Sequence, residues 1–407
     1  MSRQAKGERK FMICHQPNPV VPFANTELYG FPTRPRVLVA EDQDDVIAAL
    51  HLLLKNNGYQ VEFVKSPAQA MEALRQQSFD AVLLDLNYSR DTTSGAEGLQ
   101  LLSDVQALDQ TLAVVVMTAW GSIELAVKAM HRGACDFVQK PWDNRHLLEV
   151  LKEQIQHCHD MRLKRLSEEH ERQEAAEIQR ALMPGEMAAL EGFSIAASSR
   201  SARVVGGDYY DVIRVDENRT AICIADVVGK GVGAALLMSN LQAAVRMLSP
   251  ELAAEPATLC ERLNKLVFSN NVRGKFITFF YCVVDRERMK VTYTNAGHNW
   301  PILAHADGTI ERLNSEDGVL GSVPGWFYHE CEAGLRPGDR LVLFTDGITE
   351  CVDESGDEFG EARLCSLISR SVSQSATEIK QAIVTTTGDH CKEAPADDAT
   401  LIVLALQ

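Results

Sequence analysis

The sequence predicts an α/β region, a long helix and an α+β region, in that order along 407 residues. Between residues 36 and 140, short apolar runs alternate with helix-like segments, which favours a parallel sheet with helices on both faces. Residues 143–183 contain no strand pattern, no glycine and no proline. Beyond residue 190, longer strand-like runs and helices form separate groups, which favours antiparallel sheets with helices outside them.

The first region begins after a tail at residues 1–34, which is polar and lacks the continuous apolar stretch of a signal peptide. We predict the α/β region over residues 35–145. Its five strands are the apolar runs RVLVA, YQVEFV, AVLLDL, LAVVVMT and DFVQK. Gly58 and Gly133 lie where glycines commonly end helices. In such a sheet, ligands bind at the carboxyl ends of the strands.

Residues 146–184 are predicted to form a helical linker that continues the last helix of the α/β region. Its start carries apolar residues at spacings of three and four: Leu148, Leu151, Ile155 and Cys158. The stretch from Lys164 to Glu174 is almost wholly charged or polar, so the apolar seam suits only a short coiled coil. Through this seam the helix could pair two copies of the chain as a homodimer. Pro184 and Gly185 end the helix.

The α+β region is predicted over residues 185–407. Its clearest strands are the runs FITFFYCVVD, KVTYTNAG, WPILAHA and RLVLFTDG. Its helices are GVGAALLMSNLQAAVRML, PATLCERLNKLVF, EARLCSLISRSV and TEIKQAIVTTTG.

The composition argues against several classes of function. A formal charge of −16 opposes unspecific binding to nucleic acid or to anionic membranes. No run approaches the roughly 20 apolar residues that span a bilayer. The ten cysteines are scattered and include no C-x-x-C pair, so we expect reduced thiols rather than disulfides or a zinc site. We therefore expect a cytoplasmic protein that contacts neither nucleic acid nor a membrane.

Polar residues follow the strands of the α/β region at the edge where ligands bind. Glu41 and Asp42 follow the first strand, Asp85 ends the third, Thr118 ends the fourth and Lys140 the fifth. Two acids can hold a magnesium ion while a third carboxylate, Asp85, attacks phosphorus to form an aspartyl phosphate. Thr118 can hydrogen-bond the new phosphoryl group, and Lys140 can balance its charge. One such acid alone would more often be simply solvated, but the ordered set favours a phosphate switch.

Residues 36–145 resemble the receiver domain of two-component response regulators. The resemblance is carried by VLVAEDQDD, AVLLDL and VVVMTAWGSIELAVKAMHRGACDFVQKPW at their spacings. It implies a flavodoxin-like (βα)5 fold in which a sensor histidine kinase or a phosphotransfer protein phosphorylates Asp85. The loop after Asp85, NYSRDTTSGAEG, is longer than is usual in the family.

The same resemblance assigns the remaining residues of this site. It implies a Mg²⁺ ion held by Glu41, Asp42, Asp85 and the backbone of Asn87. Thr118 and Lys140 would form the pair that switches on phosphorylation. Phe137 falls at the aromatic switch position of the family.

Four aspartates of the α+β region adjoin strand-like runs: Asp208 in GGDYYD, Asp226 in AICIADVVGKG, Asp346 in LVLFTDGITE and Asp397 in PADDATLIVLAL. We expect each to end a strand, where a carboxylate is poorly placed for packing but well placed for a divalent cation. Several together form an all-oxygen site that suits magnesium or manganese. Two such ions can activate a water that attacks phosphorus. Each motif alone could be a plain turn, so the prediction depends on their joint occurrence.

Two further motifs have simpler explanations. VGKGVGAA lacks the full G-x-x-x-x-G-K-[ST] pattern of a phosphate-cradling loop. NAGHN contains His298, which could be a metal ligand or a base. A histidine beside glycine and asparagine more often fixes a tight turn, and we favour that interpretation.

Residues 170–407 resemble the PPM family of metal-dependent serine/threonine phosphatases, in the bacterial branch that regulates sporulation and general stress responses. The matched motifs are AAEIQRALMP, GGDYYD, ADVVGKGVGAALLM, NAGHNWP, LFTDGITE and DDATLIVL, in that order. The resemblance implies an αββα sandwich that binds two Mn²⁺ or Mg²⁺ ions. It also implies hydrolysis of phosphoserine or phosphothreonine without a covalent enzyme intermediate.

Within that family pattern, Asp226 would bridge the two ions and the carbonyl of Val227 would join one of them. The other ligands would be Asp208, Asp346 and Asp397. Asp397 is preferred to its neighbour Asp398 because of its position in the motif. No arginine can be assigned as a clamp for the substrate phosphate.

Together the regions predict a response regulator whose phosphorylation at Asp85 controls a protein phosphatase. The expected substrate is a small regulatory phosphoprotein, such as an anti-sigma-factor antagonist. The alternative is a phosphatase fold that sequesters a partner with little catalysis, although the complete set of acids opposes it. A DNA-binding regulator is a weaker interpretation, because the chain is acidic and no helix-turn-helix follows the α/β region.

Overall fold

The computed structural model describes residues 34–88, 95–118, 123–185, 192–270, 274–315, 317–391 and 396–407. Contacts divide the chain into two compact units, Met1–Ser167 and Glu168–Gln407. The predicted N-terminal tail, apart from Arg34, lies outside the described residues, as do residues 89–94 of the long loop after Asp85.

The first unit contains a five-stranded parallel sheet with the strand order β2-β1-β3-β4-β5. Its strands are β1 (Arg36–Ala40), β2 (Gln60–Val64), β3 (Ala81–Asp85), β4 (Ala113–Thr118) and β5 (Asp136–Gln139). Its helices are α1 (Asp44–Asn56), α2 (Pro67–Gln76), α3 (Ala96–Leu108) and α4 (Ile123–His131), and α5 (Asn144–Leu182) begins in this unit. This is the predicted α/β class.

Successive residues of the central strands face two different cores. Val82 and Val114 pack among α2, α3 and α4 on one face, whereas Leu83 and Val115 pack with α1 and the start of α5 on the other. Strands β3 and β4 are buried along their whole length. Burial on both faces explains why these strands read as continuous apolar runs.

The predicted long helix is present as α5, which has 39 residues and ends just before Pro184. Its first half buries Leu147, Leu151 and Ile155 in the core of the first unit. Its last turns belong to the second unit, where Ala176 packs against Val205 and Ala235.

The second unit contains two five-stranded sheets whose strand pairs are all antiparallel. The first sheet has the order β13-β10-β9-β8-β7 and the second the order β12-β11-β14-β15-β6. The strands are β6 (Phe193–Arg200), β7 (Tyr209–Arg214), β8 (Arg219–Val227), β9 (Ile277–Asp285), β10 (Lys290–Ala296), β11 (Ile302–Ala304), β12 (Ile310–Arg312), β13 (Cys331–Gly334), β14 (Arg340–Phe344) and β15 (Ala399–Leu406). The helices are α6 (Val232–Leu252), α7 (Pro256–Asn270), α8 (Asp346–Thr349), α9 (Glu361–Arg370) and α10 (Ala376–His390).

Three cores arrange these elements as helices, sheet, sheet and helices. Ile222 of β8 and Leu343 of β14 share the core between the sheets. Cys223 packs beneath α6 and α7 on the outer face of the first sheet. Phe344 packs beneath α9 and α10 on the outer face of the second sheet. The α+β class and the αββα sandwich are thereby confirmed, and neighbouring residues of one strand again serve different cores.

Local sequence explains where several helices begin and end. Gly58 and Gly133 follow α1 and α4 with φ of 85° and 97°, a left-handed conformation that favours glycine. Ser375 and Glu378 form a reciprocal capping box at the start of α10. No helix among the described residues is long and apolar enough to cross a membrane.

The expectation that the cysteines would all be reduced is wrong for one pair. Cys351, just after α8, is joined to Cys391, just after α10, by a disulfide across 40 residues of sequence. Spacing along the chain gave no sign of this pair, because the packing of α10 beside α8 and β15 brings the two cysteines together. Seven other described cysteines are free thiols.

Candidate metal centres and active site

The first site lies at the carboxyl edge of the parallel sheet and is formed by Glu41, Asp42 and Asp85, here called the N-terminal acidic cluster. Glu41 and Asp42 follow β1, and Asp85 is the last residue of β3. One oxygen from each carboxylate lies within 4.8 Å of the others. The structure therefore brings these predicted residues together in an arrangement that a small oxygen-seeking cation fits.

Lys140 supplies positive charge to this cluster. Its Nζ lies 2.6 Å from Glu41 Oε2 and 2.9 Å from Asp85 Oδ2. Its backbone N–H donates to the Thr118 carbonyl at 2.7 Å, which holds the ends of β4 and β5 together beside the acids. Burial raises the pKa of Glu41 and of Asp85, and the ammonium of Lys140 opposes that rise.

Asn87 and Phe137 are further residues that the sequence predicts for this site. The backbone N–H of Asn87 donates to Asp85 Oδ1 at 3.3 Å, so this residue lies directly beside the acceptor carboxylate. Phe137 on β5 is 41% exposed.

The second site collects the four predicted aspartates of the sandwich, although only one of them ends a strand. Asp226 is the penultimate residue of β8, as expected. Asp208 instead precedes β7, Asp397 precedes β15, and Asp346 begins α8 after β14. The expectation of four strand ends is thus wrong in detail. Antiparallel pairing explains the outcome, because the start of one strand lies beside the end of its neighbour.

Strand register brings these aspartates to one edge of the sandwich. Tyr209 pairs with Ala225, which sets Asp208 beside Asp226 on the first sheet. Phe344 pairs with Leu401, which brings the turn before α8 close to the start of β15 on the second sheet. The two sheets are linked at this edge through Asp208.

Asp208 is held by a residue that sequence patterns did not single out. The hydroxyl of Thr345, from the TDG turn, donates to Asp208 Oδ2 at 2.9 Å and accepts from the Thr400 N–H at 2.9 Å. Asp208 is 3% exposed, and its Oδ1 receives no hydrogen bond from any described residue. A buried oxygen without a donor is costly unless a cation contacts it.

The charge of this site is poorly balanced by the protein itself. Burial and the neighbouring Asp346 raise the pKa of Asp226 to about 7. Burial, followed by the charge of Asp226, raises the pKa of Asp208 well above its ordinary value. Burial and Asp397 raise the pKa of Asp346. Mutual repulsion of this kind is what bound divalent cations relieve.

The four aspartates are more widely spread than the N-terminal acidic cluster. Across the described residues, three ligand atoms lie within 4.8 Å of one another in the N-terminal cluster alone. A wider set suits hydrated ions, since magnesium usually keeps several of its waters and takes only one or two carboxylates.

Asp397 and Asp398 have different surroundings. Asp398 is 4% exposed, and its two oxygens accept from the backbone N–H groups of Ala202 at 2.7 Å and Gly207 at 2.5 Å. The side chain of Asp397 is 46% exposed and pairs with Lys230 Nζ at 2.9 Å. Lys230 also donates to the carbonyl of Ala396. Asp398 therefore fixes the loop between Ala202 and Gly207, whereas the side chain of Asp397 lies at the solvent-exposed edge of the site.

Val227 and His298 both lie close to Asp226. A Cβ atom on Gly207 would lie 2.9 Å from the Val227 carbonyl oxygen, so that only glycine fits there. His298 is buried, and Asn295 accepts from its backbone N–H at 2.7 Å and donates to its carbonyl at 3.0 Å. The tight-turn interpretation of NAGHN therefore agrees with the structure. The His298 ring contacts Thr278 Oγ1 through Nδ1 at 2.8 Å, and Thr278 is the residue of β9 that pairs with Asp226 of β8.

Arg246 is an arginine that could be considered as a clamp for the substrate phosphate, but it has a structural partner. Arg246 of α6 pairs with Asp211, the last residue of GGDYYD, at 2.6 Å. The hydroxyl of Tyr209 donates to the same carboxylate at 2.9 Å. The second aspartate of this motif therefore anchors α6 to β7, whereas the cation that pairs with one of the four predicted aspartates, Asp397, is Lys230.

Comparisons with known proteins identify both units. The profile of the response regulator receiver domain matches residues 37–152. The profile of stage II sporulation protein E (SpoIIE) matches residues 216–407, beginning just after GGDYYD. The phosphoserine phosphatase RsbU of Bacillus subtilis (strain 168) is 35% identical over 231 residues, which are 56% of this chain and 68% of that protein. The chain belongs to the family of RsbU and SpoIIE. It is a PPM-type phosphatase fused to a receiver domain.

Other relatives match one unit of this family member at a time. The transcriptional regulatory protein ZraR of Escherichia coli (strain K12) is 34% identical over 125 residues, which are 31% of this chain and 27% of ZraR. Among solved structures, the SiaA-PP2C domain of Pseudomonas aeruginosa has a TM-score of 0.54 at 24% identity. That match covers 60% of this chain and 99% of the domain, and it supports the fold of the second unit alone.

Proposed function

We propose that this protein is a response regulator in which phosphorylation of Asp85 controls a metal-dependent phosphatase for phosphoserine or phosphothreonine. The observation that carries this proposal is the group of four buried or half-buried aspartates at one edge of the sandwich. Lys230 is the cation paired with that group, and Asp208 Oδ1 has no donor among the described residues. PPM phosphatases are metal-dependent, and this donor set fits hard divalent cations.

In the receiver domain, Glu41, Asp42, Asp85 and the backbone of Asn87 would hold one Mg²⁺ ion. Asp85 would attack the phosphorus of a phosphohistidine on a sensor kinase or a phosphotransfer protein. The Asp85 O–P bond forms while the P–N bond breaks, and the imidazole leaves. Lys140 is already paired with Asp85 and would stay to balance the added charge, and Thr118 would donate to the phosphoryl group.

In the phosphatase domain, Asp226, Asp208, Asp346, Asp397 and the Val227 carbonyl would hold two Mn²⁺ or Mg²⁺ ions. Such ions supply an activated water and neutralise the charge that develops on the phosphoryl group. The protein's part is to fix the ligands. Thr345 orients Asp208 by its hydrogen bond to Oδ2, and Lys230 at the open edge would attract the incoming phosphate dianion.

The proposed substrate is a phosphorylated regulatory protein, such as an anti-sigma-factor antagonist. The name of RsbU, phosphoserine phosphatase, supports this class of substrate, because RsbU is 35% identical to this chain over 231 residues. A binding role without catalysis would not need the four acids to be kept together at such electrostatic cost.

Control would pass along α5, which runs without a break from Asn144 in the receiver to Leu182 beside the phosphatase core. Phosphorylation of Asp85 would change the position or pairing of this helix. Apolar side chains on its surface, Met161 at 47%, Leu166 at 49% and Ile178 at 58% exposure, could support pairing of two copies.

The test compares turnover of a phosphoserine peptide with and without acetyl phosphate, in the wild type and in Asp85→Asn. The proposal expects acetyl phosphate to change the wild-type rate by about 5- to 150-fold, the usual range of allosteric coupling, and to leave the variant unaffected. Equal rates in all four samples would overturn the coupling. Absence of Mn²⁺-dependent turnover in every sample would overturn the phosphatase assignment.

A further inference from the structure

Two cysteines of the first unit, Cys135 and Cys158, lie side by side although 23 residues separate them in sequence. Cys135 immediately precedes β5, where its backbone N–H donates to the Val114 carbonyl of β4 at 2.7 Å, and Cys158 lies on α5. Their Sγ atoms are 3.9 Å apart, within hydrogen-bonding distance for sulfur. Among the free thiols of the described residues, these two form the pair with such a contact. A disulfide has an S–S distance of about 2.05 Å, so the sulfurs need to approach each other by about 2 Å to bond.

Contacts of α5 on both sides of Cys158 hold this arrangement in place. Gln154, about one turn before Cys158, donates from Nε2 to Asp136 Oδ2 at 3.3 Å. Arg162, about one turn after it, pairs with Asp109 at 2.5 Å. Residues four apart share one face of a helix, and Asp136 begins β5 while Asp109 precedes β4. The face of α5 that carries Cys158 is therefore fixed against the amino edge of the parallel sheet.

The two thiols differ in exposure and in acidity. Cys158 is 6% exposed and belongs to the core beneath α1 and α5, whereas Cys135 is half-buried. The hydrogen bond with Cys158 lowers the pKa of Cys135, although burial opposes that fall. The same hydrogen bond, together with burial, raises the pKa of Cys158. Because the thiolate is the reactive form of cysteine, Cys135 is the sulfur that attacks a dissolved oxidant.

We propose that Cys135 and Cys158 form a redox-active pair, which hydrogen peroxide oxidises to a disulfide that fastens α5 covalently to the start of β5. The Cys135 thiolate attacks one peroxide oxygen: an S–O bond forms, the O–O bond breaks, and the departing hydroxide takes up the proton that this thiol had lost. The Cys158 sulfur then attacks the sulfenic acid: the S–S bond forms, the S–O bond breaks, and the hydroxyl leaves with the Cys158 proton as water. The two sulfurs give up two electrons in total, and the peroxide is reduced to two molecules of water.

The cysteine pair lies at the opposite edge of the sheet from the N-terminal acidic cluster. Cys135 precedes β5, whereas Lys140 follows it. This strand has four residues and so spans about 13 Å. The oxidation therefore requires neither of the two metal sites and does not depend on the proposed function. Phosphorylation of Asp85 by acetyl phosphate can accordingly report whether the first unit of a cysteine variant is folded.

The test treats the reduced full chain with hydrogen peroxide, stops the reaction with N-ethylmaleimide and maps tryptic peptides by mass spectrometry without reduction. Trypsin places the two cysteines in separate peptides, because Arg145 and Lys152 lie between them. The wild type is compared with Cys135→Ser, Cys158→Ser and Cys331→Ser. Cys331 is a half-buried thiol of the second unit and serves as the matched control. Dimedone in a parallel reaction traps sulfenic acids, and a non-reducing gel separates bonds within one chain from bonds between chains.

The expected product is a disulfide between Cys135 and Cys158 within one chain, formed in the wild type and in Cys331→Ser and removed by dithiothreitol. Free thiol at Cys135 should disappear about 10-fold faster than at Cys331, because a larger fraction of Cys135 is thiolate. Cys158→Ser should accumulate the dimedone adduct at Cys135, since no second thiol is present to displace the hydroxyl. Cys135→Ser should give no adduct at Cys158.

Three results would overturn the proposal: both thiols persist while Cys331 is oxidised, a Cys135 adduct is stable in the wild type without a disulfide, or the bond joins two chains. An adduct at Cys158 in Cys135→Ser would overturn the assignment of Cys135 as the attacking thiol. The peptide map of the wild type decides whether the disulfide forms even if a serine variant does not fold.

Discussion

The two acidic sites of this chain differ in how their negative charge is balanced. In the N-terminal acidic cluster, Lys140 reaches both Glu41 and Asp85, at 2.6 Å and 2.9 Å, so the protein supplies a cation of its own. In the phosphatase site, Lys230 pairs with Asp397 at the exposed rim, and the buried Asp208 is repelled by the charge of the half-buried Asp226.

This difference suits the different tasks proposed for the sites. A receiver must accept a phosphoryl group and return to its resting state, and a permanent ammonium beside Asp85 balances charge in both states. A hydrolytic site must stabilise charge that appears only in the transition state, and strongly charged ions held at fixed positions do this best. The phosphatase site therefore keeps acids close together at a cost that the protein alone does not relieve.

The largest expected effect separates the two sites by removing Asp226. Asp226→Ala should lower Mn²⁺-dependent hydrolysis of p-nitrophenyl phosphate about a thousandfold, since about 4 kcal/mol of transition-state stabilisation depends on the ions that it helps to hold. Phosphorylation of Asp85 by acetyl phosphate, measured by gel shift, should be unchanged. The control is Asp216→Ala, which removes an exposed acid paired with Arg219 on a loop outside the site. Activity retained in Asp226→Ala would contradict the assignment of this carboxylate.

A smaller effect tests whether the phosphatase ligands need to be oriented by the protein. Thr345→Val removes the hydroxyl that donates to Asp208 Oδ2, with little change of shape. We expect the Mn²⁺ concentration for half-maximal activity to rise about 10- to 100-fold, with activity largely recovered at saturating Mn²⁺. Thr386→Val is the matched control, because that hydroxyl only donates to a helix carbonyl on the exposed face of α10. Equal metal dependence in the two variants would show that Asp208 needs no such support.

Much of the fold and of both acid sets could be predicted from the sequence because the signals are local. Apolar runs marked β3 and β4, and the motifs around Asp85 and Asp226 placed these acids beside strands. Strand order and antiparallel pairing were less visible, so Asp208 and Asp397 were expected at strand ends although they precede strands. An individual motif does not reveal which end of a strand lies at the shared edge of a sandwich.

The contacts that orient the site could not be predicted, because they join residues distant in sequence. Thr345 is 137 residues from Asp208, and Asp398 is 191 residues from Gly207. The disulfide of Cys351 and Cys391 was missed for the same reason. Hydrophobic periodicity shows which face of an element is buried, but not which polar partner meets it across the core. The separate duties of Asp397 and Asp398 likewise became visible only from their hydrogen bonds.

The smallest expected effect concerns His298, a buried histidine near Asp226, and the pH dependence of the stability of the second unit. His298 is buried with its ring against Thr278 of β9, and burial lowers the pKa of this ring to about 4. The folded protein keeps this ring neutral, whereas the unfolded chain protonates it near pH 6.5. As pH falls from 7 to 5.5, protons bind here mainly to the unfolded state, so the free energy of unfolding of the second unit decreases by about 1 kcal/mol from this residue.

His298→Gln should remove that part of the pH dependence. Urea unfolding of the full chain at pH 7 and pH 5.5, followed by tryptophan fluorescence, gives the decrease in stability for the wild type and the variant. The decrease should be about 1 kcal/mol smaller in the variant, because glutamine does not titrate. The transition of the first unit contains no contribution from His298 and should respond to pH equally in both proteins. An identical decrease for the second unit in the two proteins would mean that the ring is not held neutral. The two sites would then no longer differ in this respect, because the phosphatase site, like the receiver site with Lys140, would have a buried cation nearby.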